Sequence, residues 1–509
     1  MFRSSASERP RRAVVLGASV AGLLAARVLS EHFDRVLVLE RDPAPQTGQK
    51  RRGVPHAHQS HLCLRSGLQV IEELFPGFLG ELAVAGFESY DVAGDVAWWH
   101  RGEWKPRFTS GLRAYAIGRS DLEERLRRRV VAIPNLRILW DRAVAGLDLD
   151  ETGSRVVGVT LDDVRGEWGR IEADLVVDAT GVGSRLPRLL AEQGFESPQE
   201  ERVAIGLSCT TGIFELPASA ARDWRVLFVP PSSPRLARGG TVLPLRGERF
   251  SVTLYGYRGD RASTQEAAFR IFAVTLGHPE LAHALEGARL VSAIRRASVP
   301  AQIRRRYDRA RLPEGLLVIG EALCRVDPAS AHGMSLGAIE ARSLARLLRR
   351  RRNRRDPVRG LGRAYHRAAF EATETPWALG RTVTGSAGAG GSWWARVETA
   401  YRRAVESSAA RDRSVHAAYL RVWHLERPPI SLCSPNLAAR VLLRSAQAAW
   451  QRLPRRGWTE LTAPPALGGD AFAAQGSRRQ LAGSMRDARR AGSAAASKAV
   501  SASTAAHSA

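Results

Sequence analysis

The sequence predicts an α/β fold in which a parallel-sheet domain is interrupted by an inserted antiparallel sheet and followed by a C-terminal helical region. Three patterns predict it. Short apolar runs alternate with helical spacing near the start of the chain, apolar and polar residues alternate between residues 202 and 257, and helical spacing returns after residue 366. With 509 residues, 44% of them hydrophobic, the chain can bury a core in more than one domain.

The start of the chain predicts a strand, a turn, a helix and a second strand. Residues 13–16 are a continuous apolar run, as expected for a parallel strand that is buried on both faces. Residues 35–39 form the second apolar run, which ends in Glu40. Between the two runs, apolar residues recur at helical spacing. This is the β-α-β unit from which a Rossmann-like domain is built.

The turn after the first strand has the pattern G-x-S-x-x-G. Gly17 permits the tight turn and Gly22 lets the helix pack on the strand, while Ser19 replaces the middle glycine of the dinucleotide-binding fingerprint. The helix N-terminus offers N–H groups and a positive dipole end to a pyrophosphate. Glu40 lies eighteen residues after Gly22, where an acid accepts hydrogen bonds from an adenosine ribose. The pattern therefore predicts a dinucleotide site.

Later segments continue the α/β pattern. Residues 120–123, Ser-Asp-Leu-Glu, form a capping box that predicts the start of a helix. Apolar residues at helical spacing predict another helix over residues 336–347. Apolar runs predict strands at residues 136–139, 156–161, 173–178, 240–245, 250–255 and 316–319.

These elements predict the domain organisation. The nucleotide-binding domain is discontinuous and a substrate domain is inserted into it, because the parallel pattern returns after the alternating segments. A Gly/Ala/Ser loop at residues 385–391 interrupts the helical region, and an Ala/Ser/Arg-rich tail is expected to be disordered. The predicted boundaries are 11–85, 113–195 and 301–365 for nucleotide binding, 86–112 and 196–300 for the substrate domain, 366–456 for the helical region and 457–509 for the tail.

Two later segments indicate which dinucleotide is bound. Asp178-Ala179-Thr180-Gly181, and Gly320-Glu321-Ala322 followed by Asp327-Pro328 and Gly333-Met334, resemble the second and third fingerprints of FAD-dependent monooxygenases of the para-hydroxybenzoate hydroxylase fold. Within that class the chain is most similar to actinobacterial epoxidases that oxidise polyene polyketides. The segments with this closer similarity are Arg52-Gly53-Val54-Pro55 with His56, His58 and His61, residues 70–77, the Asp-Ala-Thr-Gly form at Asp178, Arg304-Arg305-Arg306-Tyr307, and Val422-Trp423-His424-Leu425 with Pro428-Pro429.

The resemblance implies a set of FAD-binding residues. Arg119 would reach the pyrophosphate or the ribityl chain, the backbone near Val144 the adenine, and Glu321 the ribityl hydroxyls, although families of this fold usually have Asp there. The helix N-terminus after Pro328 would face the pyrimidine edge of the flavin, where reduced flavin carries negative charge. The full set is Gly17, Ser19, Gly22, Glu40, Arg41, Arg119, Val144, Gly320, Glu321, Pro328, Gly333 and Met334.

The resemblance also implies an activity. It predicts an FAD-dependent oxidoreductase that inserts one oxygen of O₂ into an apolar secondary metabolite, by epoxidation or hydroxylation through a flavin C4a-hydroperoxide, in antibiotic-type biosynthesis. The electrons would come from NAD(P)H or from a flavin reductase. Epoxidation requires no acid/base pair, so no catalytic side chain is assigned, and His61 and Pro328 are expected only as neighbours of the flavin. The alternatives are a halogenase or an olefin reductase of the same fold and, more remotely, an arginine-rich nucleic-acid-binding protein on a flavoprotein scaffold. No Trp-x-Trp-x-x-Ile-Pro segment supports a halogenase.

Aromatic and histidine residues have two interpretations each. Trp98, Trp99 and Trp104 either line a pocket for an apolar substrate or pack beneath the inserted sheet. The histidines of the loop ending at His61 are either polar contacts beside the flavin or solvated side chains. They do not predict a metal site, because ligands two and three residues apart alternate sides in an extended loop and no carboxylate accompanies them.

Composition restricts the remaining classes of function. The net charge of +25 raises the question of nucleic acid, yet ten arginines lie between Arg342 and Arg363, where a solvated helix end accounts for them, and no recognition motif accompanies them. The four cysteines form no CxxC pair, which indicates a reducing compartment. No apolar run is long enough for a transmembrane segment and no signal peptide is evident. We therefore expect a cytoplasmic protein without nucleic-acid partners.

Overall fold

The computed structural model describes residues 10–46, 58–162, 169–215, 222–231, 237–383 and 393–452. Its α-helices are α1 (Val20–Leu29), α2 (Arg65–Leu74), α3 (Phe78–Val84), α4 (Arg119–Val131), α5 (Leu186–Glu192), α6 (Glu266–Val274), α7 (Glu280–Leu285), α8 (Gly333–Arg351), α9 (Leu361–Val383), α10 (Trp393–Ser408), α11 (Arg413–Trp423) and α12 (Pro435–Arg452). Short 3₁₀ helices lie at Gly181–Gly183, Gly320–Ala322, Pro328–Ser330 and Pro429–Cys433.

The strands belong to four sheets. They are β1 (Arg12–Leu16), β2 (Arg35–Leu39), β3 (Ser89–Asp91), β4 (Val96–His100), β5 (Glu103–Trp104), β6 (Arg113–Tyr115), β7 (Leu136–Leu139), β8 (Val144–Leu149), β9 (Val156–Leu161), β10 (Arg170–Glu172), β11 (Leu175–Asp178), β12 (Glu200–Glu215), β13 (Val226–Val229), β14 (Arg238–Pro244), β15 (Arg249–Gly256), β16 (Arg289–Leu290), β17 (Arg295–Arg305), β18 (Leu316–Val318) and β19 (Cys324–Arg325).

A five-stranded parallel sheet forms the centre of the nucleotide-binding part. Its order is β18-β11-β1-β2-β7, so β1 lies in the middle, with Val15 beside Val177 on one side and Val38 on the other. All four residues of β11 are buried, as expected for a strand covered on both faces. Helices α1 and α8 pack against each other, and α1 also contacts β1, β2 and β11 of this sheet. The parallel sheet and the mixed α/β class predicted from the sequence are confirmed.

A second sheet has nine strands and is almost entirely antiparallel. Its order is β19-β17-β12-β15-β14-β13-β4-β5, with β16 also paired to β12. The long strand β12 is irregular between Ala204 and Leu207, where Gly206 has φ +54°. Strand β4 pairs in parallel with β13, which brings a segment from before residue 112 into the sheet formed by residues after 196. The antiparallel sheet expected after residue 202 is therefore present.

The predicted capping box at residues 120–123 is wrong. Helix α4 begins one residue earlier, at Arg119, and its N-cap is Gly118, for which no side-chain cap forms. Glu123 is drawn away from the helix terminus because it accepts a hydrogen bond from Ser19 Oγ at 2.8 Å. A tertiary contact has therefore replaced the local one.

Helices α9 to α12 follow the sheets. Helix α9 begins at Leu361 and contains Pro376 in its interior, and α11 is capped by Asp412, whose carboxylate accepts from the Ser414 and Val415 N–H groups. The predicted loop at 385–391 and the predicted tail at 457–509 lie outside the described residues. Among the helices that the structure describes, none combines the length and the apolarity needed to cross a lipid bilayer.

Candidate functional site

A large cavity in the described part of the chain has a volume of about 810 Å³. One end lies at the carboxyl ends of the parallel strands, where Leu16, Glu40 and Asp178 line it. Ligands of open parallel sheets bind at this edge, because the strand order reverses there. The other end reaches the antiparallel sheet at Phe228 and Thr253. We call this space the main cavity.

The glycine turn lies at the strand end of the main cavity. Gly17 has φ +102°, and a Cβ at this position would lie 2.7 Å from the carbonyl oxygen of Ala179. Its N–H donates to Leu39 O at 2.8 Å, which joins β1 to β2. A Cβ on Gly22 would lie 1.9 Å from Gly17 O. Both glycines are therefore required by backbone contacts; Gly17 lines the cavity, whereas Gly22 packs behind the turn.

Ser19 connects the turn to α4. Its Oγ donates to Glu123 Oε2 at 2.8 Å and accepts from Arg119 Nη2 at 2.8 Å. Arg119 and Glu123 lie one helical turn apart, so both reach the same side of α4. The serine in place of glycine therefore holds an arginine beside the N-terminus of α1. The role of Glu123 was not predicted, although its i, i+4 spacing from Arg119 was the available signal.

Glu40 lies at the end of β2, is 4% exposed and lines the main cavity. Its Oε2 accepts from the Ala18 N–H at 2.8 Å and its Oε1 accepts from the Asp42 N–H at 3.1 Å. The acid therefore also supports the backbone of the glycine turn. Arg41 and Val144 line the same end, together with Arg142, which the sequence did not indicate.

The third fingerprint folds into the turn between β18 and α8. Gly320 has φ +68°, and its N–H donates to Glu340 Oε2 at 2.6 Å. Glu340 is fully buried, and this burial raises the pKa of its carboxyl to about 8. Glu321 lines the main cavity, and its Oε1 lies 4.0 Å from where a Cβ on Gly333 would stand. The longer side chain thus reaches the N-terminus of α8.

Asp327 shapes the turn that precedes α8. Its Oδ1 accepts from the Ala329 N–H at 2.9 Å and its Oδ2 accepts from the Tyr257 hydroxyl at 2.8 Å. Burial raises the pKa of this carboxyl to about 6. Ala331, with φ +58°, completes the turn. The turn and the first residues of α8 place Pro328, Gly333 and Met334 in the cavity wall.

Hydroxyl groups line part of the main cavity beside the antiparallel sheet. Ser60 Oγ lies 2.6 Å from both Ser251 Oγ and Thr253 Oγ1, and Thr253 in turn contacts Thr211 at 2.7 Å. His61 lines the cavity, and its Nδ1 lies 2.8 Å from Gln59 O. His56 and the segment from Arg52 to Pro55 lie outside the described residues.

Of the three predicted pocket tryptophans, the structure brings only Trp98 to the main cavity. Trp99 and Trp104 pack on each other and on His278, with ring centroids 4.4 Å and 4.7 Å from the imidazole. Trp98 and Trp99 are neighbours on β4, and successive side chains of a strand point to opposite faces. The placement of Trp99 and Trp104 in the pocket is therefore not supported, and they have the alternative packing role.

The end of α11 also lines the main cavity, through Leu420, Trp423 and His424. Trp423 O accepts a hydrogen bond from His332 Nε2 at 2.9 Å, next to the start of α8. His424 Nδ1 accepts from the Arg65 N–H at 3.2 Å. Sequence reasoning gave these residues no role, because only tertiary structure brings them to the nucleotide-binding part.

The glycine turn at a helix N-terminus, the acid at the end of β2 and the adjoining cavity define a dinucleotide-binding protein with a second binding region on a sheet. The chain belongs to the FAD binding domain family, which matches residues 11–369. The residues present fit FAD: the turn around Gly17 leaves no room for a Cβ, and Arg119 lies beside it. Arg119 and the N-terminus of α1 would hold the pyrophosphate, Glu40 the ribose, and the N-terminus of α8 the flavin.

The chain is similar to known proteins in sequence and in fold. It is 32% identical to Protein Rv3254 of Mycobacterium tuberculosis over 378 aligned residues. The alignment covers 72% of this chain and 78% of that protein. A flavoprotein/dehydrogenase from Cytophaga hutchinsonii has a TM-score of 0.61 at 15% identity, over 86% of this chain and 99% of that chain. A probable FAD-dependent monooxygenase from Pseudomonas aeruginosa, PqsL, has a TM-score of 0.53 at 17% identity, over 80% and 98%.

The flavin-dependent halogenase CmlS has a TM-score of 0.59 at 17% identity, over 87% of this chain and 78% of that chain. At such identities, the likeness to solved structures shows the fold. Since monooxygenases and halogenases share it, the fold alone does not assign the reaction.

Proposed function

We propose that this protein is an FAD-dependent monooxygenase that transfers one oxygen atom of O₂ to an apolar secondary metabolite, by epoxidation or hydroxylation. The observation that supports the proposal best is the continuity of the main cavity. It runs from the glycine turn at Gly17, past the N-terminus of α8, to an end lined by Trp98, Phe228 and Trp423. A cofactor at the first end and an apolar substrate at the second would therefore share one cavity.

FAD, when bound, supplies the electrons that reduce O₂ and so provides the reactive oxygen. The residues of this chain bind, orient and exclude water. Arg119 places positive charge beside the N-terminus of α1, and the first N–H groups of α8 favour negative charge at the opposite end. The side chains of Val226, Leu243 and Trp98 form an apolar part of the wall at the substrate end. Exclusion of water from this end favours transfer of the oxygen atom to the substrate over its unproductive release into solvent.

The electron donor is proposed to be NAD(P)H, docked transiently, or a separate flavin reductase. The described residues contain one Rossmann-like sheet, which the proposed FAD site already uses. A donor would therefore reach the flavin from outside the FAD-binding turn. A halogenase or an olefin reductase of the same fold is the alternative.

The test is oxygen transfer by the purified, FAD-loaded protein. Apolar candidate substrates are incubated with isotopically labelled O₂ and a reducing system, either NAD(P)H alone or with an added flavin reductase. The expected product carries one labelled oxygen atom. A halogenated product that depends on added halide would favour the alternative, and a protein that takes up no FAD would overturn the proposal.

A further inference from the structure

Three aromatic side chains form one wall at the substrate end of the main cavity. Trp98 lies 5.4 Å from Phe228 and 5.1 Å from Trp423 between ring centroids, and Phe228 and Trp423 are 6.2 Å apart. They come from β4, β13 and the end of α11, so three distant segments meet here. We call these three residues the aromatic partition.

A second, smaller space lies behind this wall. It has a volume of about 60 Å³ and shares five residues with the main cavity: the three rings, Ala329 and Ser330. Its other walls include Pro230, Pro231, Leu379 and Tyr419, the polar side chains of Tyr257 and Asp327, and the ion pair of Arg101 with Glu406. We call this space the side chamber. The three rings therefore form the side-chain part of the wall between the two cavities, beside the turn at Ala329 and Ser330.

We infer that the aromatic partition limits how far a substrate extends from the flavin end, so that Trp423 is a residue that determines substrate length. The assignment of this end to the substrate rests on the proposed function. The substrate class that follows is an extended apolar molecule whose distal end stops against the rings. Removal of a ring joins the side chamber to the main cavity and adds the space of the ring itself.

Trp423 is the best of the three positions to change. Trp98 is almost completely buried and also contacts His416 and Tyr419, so its removal would disturb the packing of α11. Trp423 is only partly buried. The hydrogen bond from His332 goes to its backbone carbonyl and therefore survives a change of side chain.

The experiment measures the binding of straight-chain 1-alkanols, from octanol to hexadecanol, to FAD-loaded protein by calorimetry. Each methylene that enters an apolar cavity raises affinity by about fourfold, and this gain ends when the chain meets the wall. In Trp423→Ala, the chain length beyond which affinity stops rising is expected to be greater than in the wild type. An alkanol two carbons beyond the wild-type limit should bind about sixteenfold more tightly to the variant, about fourfold for each added methylene.

Matched variants make the result specific. Trp104→Ala removes a tryptophan that packs on His278 outside both cavities, and it is expected to keep the wild-type limit. Trp423→Leu, which keeps an apolar side chain of smaller volume, provides the measurement if Trp423→Ala does not fold. An unchanged limit in the folded variant, or no alkanol binding to FAD-loaded protein, would overturn the inference. Failure of FAD uptake instead overturns the proposed function, and alkanol limits of the flavin-free proteins then still test the partition.

Discussion

Arg119 donates a hydrogen bond through Nη2 to the hydroxyl of Ser19 at 2.8 Å, and this contact links the glycine turn to the first residue of α4. The fingerprint position that departs from glycine thus positions a cation at the proposed pyrophosphate site. The same hydroxyl donates to Glu123, so the serine is held from both sides.

Replacing Ser19 by glycine should weaken FAD binding, although it restores the usual fingerprint. Hydrogen bonds to charged groups contribute about 1.5–3 kcal/mol, so loss of the Arg119 contact is expected to raise the FAD Kd by at least about tenfold. Titration of flavin-free protein with FAD, followed by fluorescence, measures it. Ser120→Ala, at the next residue of α4, is the control and should leave the Kd unchanged. Equal or tighter binding by Ser19→Gly would show that the hydroxyl has no such role.

Replacing Gly22 by alanine should abolish FAD retention. The added Cβ would lie 1.9 Å from Gly17 O, so the turn must move away from its present position. Gly80→Ala is the matched control, because a Cβ there meets no atom within 4 Å and alanine favours the helix α3. The flavin content of the purified variants is read from their absorption. Retained flavin in Gly22→Ala would argue against the assignment of the turn.

Acid should destabilise the protein through its buried histidines. Burial lowers the pKa of five histidines: to about 4 for His332 and His366, and to about 3 for His100, His416 and His424. Each depressed pKa contributes stability that is present above the unfolded value of 6.5 and is lost as the pH falls through the folded value. The pKa falls by about 2.5 for the first two histidines and by about 3.5 for the other three, which corresponds to about 3–5 kcal/mol per histidine at most.

Urea unfolding at pH 7.5, 5.5 and 4.5 measures this loss. The free energy of unfolding is expected to fall steeply below pH 6.5. His424→Gln keeps an acceptor for the Arg65 N–H and does not titrate, so its unfolding free energy should fall less. Equal pH dependence of the two proteins would mean that His424 is charged or exposed in the folded state.

Glu340 should make the free energy of unfolding depend on pH in the opposite direction. Its folded-state pKa of about 8 lies above its ordinary value of 4.5, so its stabilising contribution is complete below pH 4.5 and is lost as the pH rises through 8. Glu340→Gln keeps an acceptor for the Gly320 N–H and cannot ionise. Relative to the wild type, the free energy of unfolding of the variant is expected to increase by up to about 1.4 kcal/mol for each pH unit between pH 4.5 and pH 8. Thermal unfolding midpoints between pH 5 and 9 give the comparison, and parallel curves would contradict it.

The sequence predicts those parts of the molecule that depend on local pattern. The strands 35–39, 136–139 and 156–161 have the predicted bounds, because continuous apolar runs between turns leave little choice of register. The residues around Gly17 and Glu40 were found because strand, turn and helix are adjacent in the chain. The partnership of Ser19 with Glu123 could not be found in this way, since it replaces a local cap with a contact across 104 residues.

The tryptophans show a second limit of prediction from the sequence. Trp98 and Trp99 are adjacent, and the alternation of a strand already separates them to opposite faces once the strand is recognised. Which of the two faces the main cavity depends on how β4 pairs with β13, a parallel contact that local sequence does not specify. Trp423 is more distant still, and only the packing of α11 brings it beside Trp98.

The match to the FAD binding domain family ends at residue 369, whereas the lining of the main cavity includes residues further along the chain. Leu420, Trp423 and His424 close it from a helix that contributes nothing to the glycine turn or to the parallel sheet. The segment of the proposed nucleotide site and the segment that completes the proposed substrate wall are therefore far apart in the sequence. Under the proposed function, mutations in α11 are expected to alter the range of accepted molecules without changing the flavin site, and exchange of the C-terminal helices between relatives would be a route to new selectivity.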